Sequence, residues 1–68
     1  MINMTRRELR HLLGEPTRIS FKSRKQRFPL IWKYGDIEYH FDSDKIDGKV
    51  WLIYTEDEKG NPTVIDKV

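Results

Sequence analysis

Residues 31–41 read IWKYGDIEYHF, two runs that alternate apolar and polar side chains on either side of a Gly-Asp pair. Alternation with period two is the mark of a strand with one buried face. A glycine in the first central position of a two-residue connection suits a type II′ hairpin turn, and with Gly35-Asp36 as that turn the numbers of opposing residues add up to 71. This register sets Tyr34 against Ile37, Trp32 against Tyr39 and Leu30 against Phe41 on one face, with Lys33 against Glu38 on the other. Each such pair is worth about 0.2–1 kcal/mol, and a slip of one residue would lose all of them together. The hairpin is therefore expected to carry half of a small core, and its aromatics are mainly structural.

Upstream, MTRRELRHLLG (residues 4–14) contains the start and stop of a helix. Thr5 is an N-cap, Glu8 completes a capping box, and Met4 is placed to staple onto Leu9. Leu9, Leu12 and Leu13 are expected to form one apolar stripe, with Arg6, Arg7 and Arg10 mostly off it. Gly14 ends the helix and Pro16 prevents its resumption. A helix over about residues 5–13 is too short to stand alone, so it is expected to lie on a sheet.

TRISFK (17–22) alternates as a strand, SRKQRFP (23–29) is a basic loop, and DSDKIDGK (42–49) is a polar connection with Asp47-Gly48 as a type I′ turn or part of a longer loop. VWLIYTE follows as a strand over about 49–55, apolar on both faces, with Val50, Leu52 and Tyr54 expected to point one way and Trp51 and Ile53 the other. After the turn cluster DEKGNP, TVID (63–66) adds a short edge strand. The expectation is a single α+β domain over 1–68, one N-terminal helix packed on a four- to five-stranded antiparallel meander sheet in two layers.

The segments TRRELRHLLGEP, RKQRFPLIWKYGDIEYHF and VWLIY together resemble a group of short bacterial proteins built on an LGxP, YGDIExHF and LWLI pattern. More distantly, Thr5, Leu9, Leu12, Leu13, Gly14 and Pro16 are similar to the helix-LGxP-strand arrangement of the SmpA/OmlA domain and of one half of a β-lactamase inhibitor protein. The distant resemblance implies a binding module rather than an enzyme. The chain departs from those lipoproteins in having no cysteine to lipidate, so an outer-membrane role does not carry over.

Composition narrows the classes further. Sixty-eight residues without cysteine leave no disulfide or thiolate metal site, and the fold must rest on packing, helped by self-association if the core falls short. No signal-like or bilayer-length apolar run is present, so a cytoplasmic protein with no membrane partner is expected. The net charge of +2 hides an asymmetry: residues 1–34 carry nine cations against two carboxylates, and residues 35–68 nine carboxylates against four lysines.

Candidate chemistry is sparse. Lys22, Arg24, Lys25 and Arg27 between Phe21 and Phe28 read as a solvated loop, as a steering surface for an acidic protein, or as a phosphate-binding loop for nucleic acid. Asp42 and Asp44 match the first two calcium ligands of an EF-hand, but Ile46, Asp47 and Ile53 fall where a ligand, a glycine and the closing glutamate belong. His11 and His40 would need a third ligand such as Glu38 or Asp42, and Ser20, Ser23 and Ser43 lack a nucleophile's setting. A chain of this length is not expected to enclose a pocket of about 300–1,000 Å³. No cofactor or metal and no enzymatic activity are expected.

The sheet face opposite the helix is the remaining candidate. Ile31, His40, Trp51 and Ile53 are expected to gather there, rimmed by Lys33 and Glu38. An apolar patch centred on tryptophan and ringed by charge is the composition of a protein-binding hot spot. The reading is a small non-enzymatic protein-binding module of inhibitor, immunity or adaptor type. It would use Trp51, Ile53, Ile31 and His40 with the basic loop residues Arg24, Lys25 and Arg27. Self-pairing into a homodimer is the other use of the same patch. The alternative is a small nucleic-acid-associated protein that binds phosphates through the 22–27 loop and the helix arginines.

Overall fold

Local capping defines the helix α1 (Arg6–Leu13). In the computed structural model, which describes residues 1–21 and 24–68, Thr5 Oγ1 accepts the Glu8 amide at 3.3 Å and the Glu8 carboxylate accepts the Thr5 amide at 3.1 Å. Lys22 and Ser23, on which the expected end of the first strand and part of the basic loop fall, lie outside the described residues. Gly14 closes the helix at φ 83°, its amide bonded to the Arg10 carbonyl at 2.7 Å. The Thr5 bonds hold the Glu8 carboxyl below its ordinary range. A carboxylate depressed in the folded state adds stability above its unfolded pKa of roughly 4.3, and that contribution is lost as pH falls through the lower folded value. Glu8→Gln is expected to shrink the loss of thermal midpoint between pH 5 and pH 3, values chosen to bracket that range, as followed by circular dichroism.

The strands are β1 (Arg18–Ser20), β2 (Ile31–Tyr34), β3 (Ile37–Phe41), β4 (Val50–Glu56) and β5 (Pro62–Lys67), all antiparallel in one sheet of order β1-β2-β3-β4-β5. The central register is the expected one: Tyr34 faces Ile37, Lys33 faces Glu38, Trp32 faces Tyr39, and the Phe41 amide reaches the Leu30 carbonyl at 2.8 Å. Gly35 has φ 62° and Asp36 is not in the left-handed region, the combination a type II′ turn requires. Behind the turn, the Gly35 amide is held by Thr17 Oγ1 at 3.2 Å, and the Tyr34 hydroxyl donates to the Gly14 carbonyl at 2.7 Å. The LGEPT and YG segments are thus stitched together at one end of the sheet.

Leu9, Trp32, Tyr39, Phe41, Val50 and Ile53 form the buried cluster, with Leu30, Tyr34, Ile37, Met4 and Ile2 packed against it. The expected leucine stripe is corrected: Leu12 and Leu13 are exposed. The buried residues of α1 are instead Arg6 and Leu9, spaced i, i+3. The guanidinium of Arg6 lies 4.3 Å from the Phe41 ring centroid and that of Arg10 lies 5.0 Å from Trp32. Arginine stems and heads cover the aromatic surface that leucines were expected to cover.

Of the two forms expected for the connection before β4, the structure takes the second. Neither Asp47 nor Gly48 has positive φ, so Asp47-Gly48 is not a type I′ turn but part of a longer loop over 42–49. That loop is organised by Arg6, which is only 5% exposed and donates to the carbonyls of Pro29, Ser43 and Lys45. The N-terminal segment also joins the sheet region: the Asn3 amide bonds to the Val50 carbonyl and the Val50 amide to the Met4 carbonyl, each at 2.8 Å.

Strict alternation fails in β4. Phe41 faces Val50 but His40 faces Leu52, so Trp51 is an extra residue in the β3–β4 ladder. A second irregularity leaves Ile65 extra between β4 and β5. The bulge resets parity, so Val50 and Ile53, three positions apart, both enter the core, and Leu52 and Tyr54 turn to the other face. The expected grouping of Val50 with Leu52 and Tyr54 is therefore overturned. No helix among the described residues is long and apolar enough to cross a membrane.

Candidate functional site

Paired residues in an antiparallel ladder share a face, so the register reads out the surface opposite the buried cluster. One row runs Ser20, Ile31, His40, Leu52, Lys67, and the next runs Arg18, Lys33, Glu38, Tyr54, Val64. Ile31, Leu52 and Tyr54 are half-buried and Val64 is exposed, giving an apolar and aromatic centre with a charged residue at one end of each row.

The centre is held in place by polar contacts. The Tyr54 hydroxyl donates to Glu38 Oε1 at 3.1 Å, His40 Nε2 lies 3.5 Å from the same oxygen, and the His40 and Tyr54 rings are 4.9 Å apart at 36°. Burial, and then the bond to Glu38, pushes the Tyr54 phenol above its ordinary pKa. The cluster brings the His40 and Tyr54 rings together beside Glu38. Beside it, Arg18, Ser20, Ile31, Lys33 and Glu38 line a shallow depression of about 270 Å³.

Of the residues expected on this face, Ile31 and His40 are there, although His40 is only 7% exposed. Ile53 is not: at 5% exposure it belongs to the core beside Trp32 and Tyr39, because the bulge at Trp51 shifts its parity. Trp51 sits at the bulge itself, about two-fifths exposed, outside both rows. Leu52 and Tyr54 take the places assigned to Ile53 and Trp51. Only the uninterrupted apolar character of VWLIY hinted that either face was possible.

The basic loop residues Arg24, Lys25 and Arg27 are exposed, and the Arg27 amide donates to Asp44 at 3.4 Å. Arg6 is not available with them. Its donors point to backbone carbonyls, and burial pulls its pKa below the ordinary arginine value while Asp42 and Asp44 oppose that pull. The Asp42 carboxylate accepts the Lys49 amide at 2.9 Å. Among the described residues no group of three or more His, Asp or Glu side chains converges as metal ligands do.

A second region was not foreseen. Arg7, Arg10 and His11 of α1, with Arg6, Phe28, Trp32 and Ile46, line an open groove of about 610 Å³. The groove is open to solvent rather than enclosed. One sequence signal pointed there. Cations in the first turn of a helix oppose its dipole, so Arg6 and Arg7 need another reason for their place.

No family model, curated protein sequence or solved structure matches the chain.

Proposed function

We propose that this chain is a small non-enzymatic protein-binding module, of inhibitor, immunity or adaptor type, that works in the cytoplasm and presents the outer face of its sheet to a partner. In this reading α1 forms a second layer behind the sheet, and Arg24, Lys25 and Arg27 steer an acidic partner surface toward the face. The observation that supports it most is the pre-ordered aromatic pair His40 and Tyr54, flanked by Ile31, Leu52 and Val64 and ended by Arg18, Lys33 and Lys67. A rigid apolar centre loses little side-chain entropy on docking, and the charged rim gives register and on-rate. The interface centre moves from the expected Trp51 and Ile53 to Leu52 and Tyr54.

Affinity capture from the source organism tests the reading when run with wild type, Leu52→Asp, and the triple alanine variant of Arg24, Lys25 and Arg27. A discrete protein retained by wild type, lost with Leu52→Asp and captured more slowly by the triple variant is the expected result. Leu52→Asp should weaken the complex by about 2 kcal/mol or more, as hot-spot substitutions do. If Leu52→Asp has no effect, and only nucleic acid is captured with a salt slope that the triple variant flattens, the nucleic-acid alternative replaces this one. Sedimentation of the wild type identifies the homodimer if the partner is a second copy.

A further inference from the structure

We infer that the groove between α1 and the loops at Phe28 and Ile46 is a binding site for a carboxylate carried on an apolar body. It lies away from the outer sheet face and stands or falls independently of the proposal above.

The polar half of the groove comes from α1. Arg7 and His11 are exposed one turn apart. Arg10 is braced against the Trp32 ring at 5.0 Å and paired with Glu15 at 3.3 Å. Both side chains of that pair are largely exposed, at 54% and 76%, and such pairs contribute little. An incoming carboxylate therefore competes with Glu15 for the Arg10 guanidinium at small cost.

A second observation points to an acceptor. Trp32 lines the groove and is 3% exposed, and its indole Nε1 is buried with no hydrogen-bond partner. A buried donor without an acceptor is costly, and a ligand oxygen entering past Arg10 supplies one. The apolar half is Ile46, which is 73% exposed, and Phe28, half-buried opposite α1. These side chains fit a hydrocarbon portion. They are poorly suited to a nucleobase, because Trp32 is buried beneath Arg10 and Arg6 lies 5.5 Å from the Phe28 ring, so a cation already sits against each ring.

The carboxylate has two possible sources, a free organic acid or the end of a protein chain. The test uses the Trp51→Phe protein, so that Trp32 gives the one indole N–H signal in a proton–nitrogen correlation spectrum. Five probes are titrated: sodium octanoate, 1-octanol, inorganic phosphate, and an acetylated tripeptide ending in phenylalanine, once with a free carboxylate and once with an amide. A saturable shift of the Trp32 indole signal with octanoate, with the free-carboxylate peptide, or with both, supports the site and identifies the source. Arg10→Gln, Arg7→Gln and Ile46→Ser should each weaken that response about tenfold, and Glu15→Gln should strengthen it about threefold. Thermal midpoints within a few degrees of wild type show that the variants are folded, and Arg7→Gln, at an exposed position, covers loosening by Arg10→Gln. An equal response to octanol or to phosphate alone, no response to either carboxylate, or unchanged affinity in folded Arg7→Gln and Arg10→Gln would overturn the inference.

Discussion

Replacing Arg6 with alanine is expected to leave the domain unfolded at room temperature. The guanidinium donates to three backbone carbonyls from two separate loops, at 3.0 Å to Pro29 and 2.7 Å to both Ser43 and Lys45, and it lies over the Phe41 ring. Alanine leaves those acceptors facing a void. Each unsatisfied buried group costs about 1–3 kcal/mol, while a domain of this size seldom holds more than about 3–5 kcal/mol in total. Arg6→Lys keeps the charge but not the planar fork, and a loss of about 2 kcal/mol in urea titration is expected because one ammonium cannot serve both loops in the same geometry.

Gly48 belongs to the same construction. A Cβ there would stand 2.5 Å from the Ser43 carbonyl oxygen and 2.6 Å from Arg6 Nη1. The first is backbone and cannot swing aside, so Gly48→Ala should cost about 1–3 kcal/mol as an overpacked site. Because Gly48→Ala displaces the partners that Arg6→Lys would lose, the double variant should fall short of the sum by about 1 kcal/mol. Strict additivity would show that Arg6 does not organise the loop.

The second large effect separates three leucines that the sequence pattern treats alike. Leu9→Ala removes a side chain with no exposed surface and should cost about 2–5 kcal/mol. Leu12→Ala, at a position more than half exposed, should change stability by no more than about 0.5 kcal/mol. Equal losses in chemical denaturation would restore the 9–12–13 stripe and refute the burial of Arg6 and Leu9 alone.

These two cases show what could be read from the residues alone. The hairpin register was legible because a turn signal and two alternating runs all demanded one pairing, and Thr5 with Glu8 wrote the helix start just as locally. Arg6 was not legible, since its partners are carbonyls 23, 37 and 39 residues away and carbonyls have no residue type. The face of β4 was not legible for a similar reason. Apolar side chains at every position leave parity to the ladder, and the ladder contains a bulge that no turn residue announces. Ile31 and His40 were placed on the outer surface by the hairpin, whereas Trp51 and Ile53 were misplaced by one unannounced residue.

The two irregularities flanking β4 have a genetic corollary. Since Trp51 is supernumerary in one ladder and Ile65 in the other, removing the codon for either would not merely shorten a strand. It would let the flanking residues close up into regular alternation, each keeping its partner and its face, so in-frame deletions at these two codons should be far better tolerated than deletions at neighbouring codons, which exchange inside for outside along the rest of the strand.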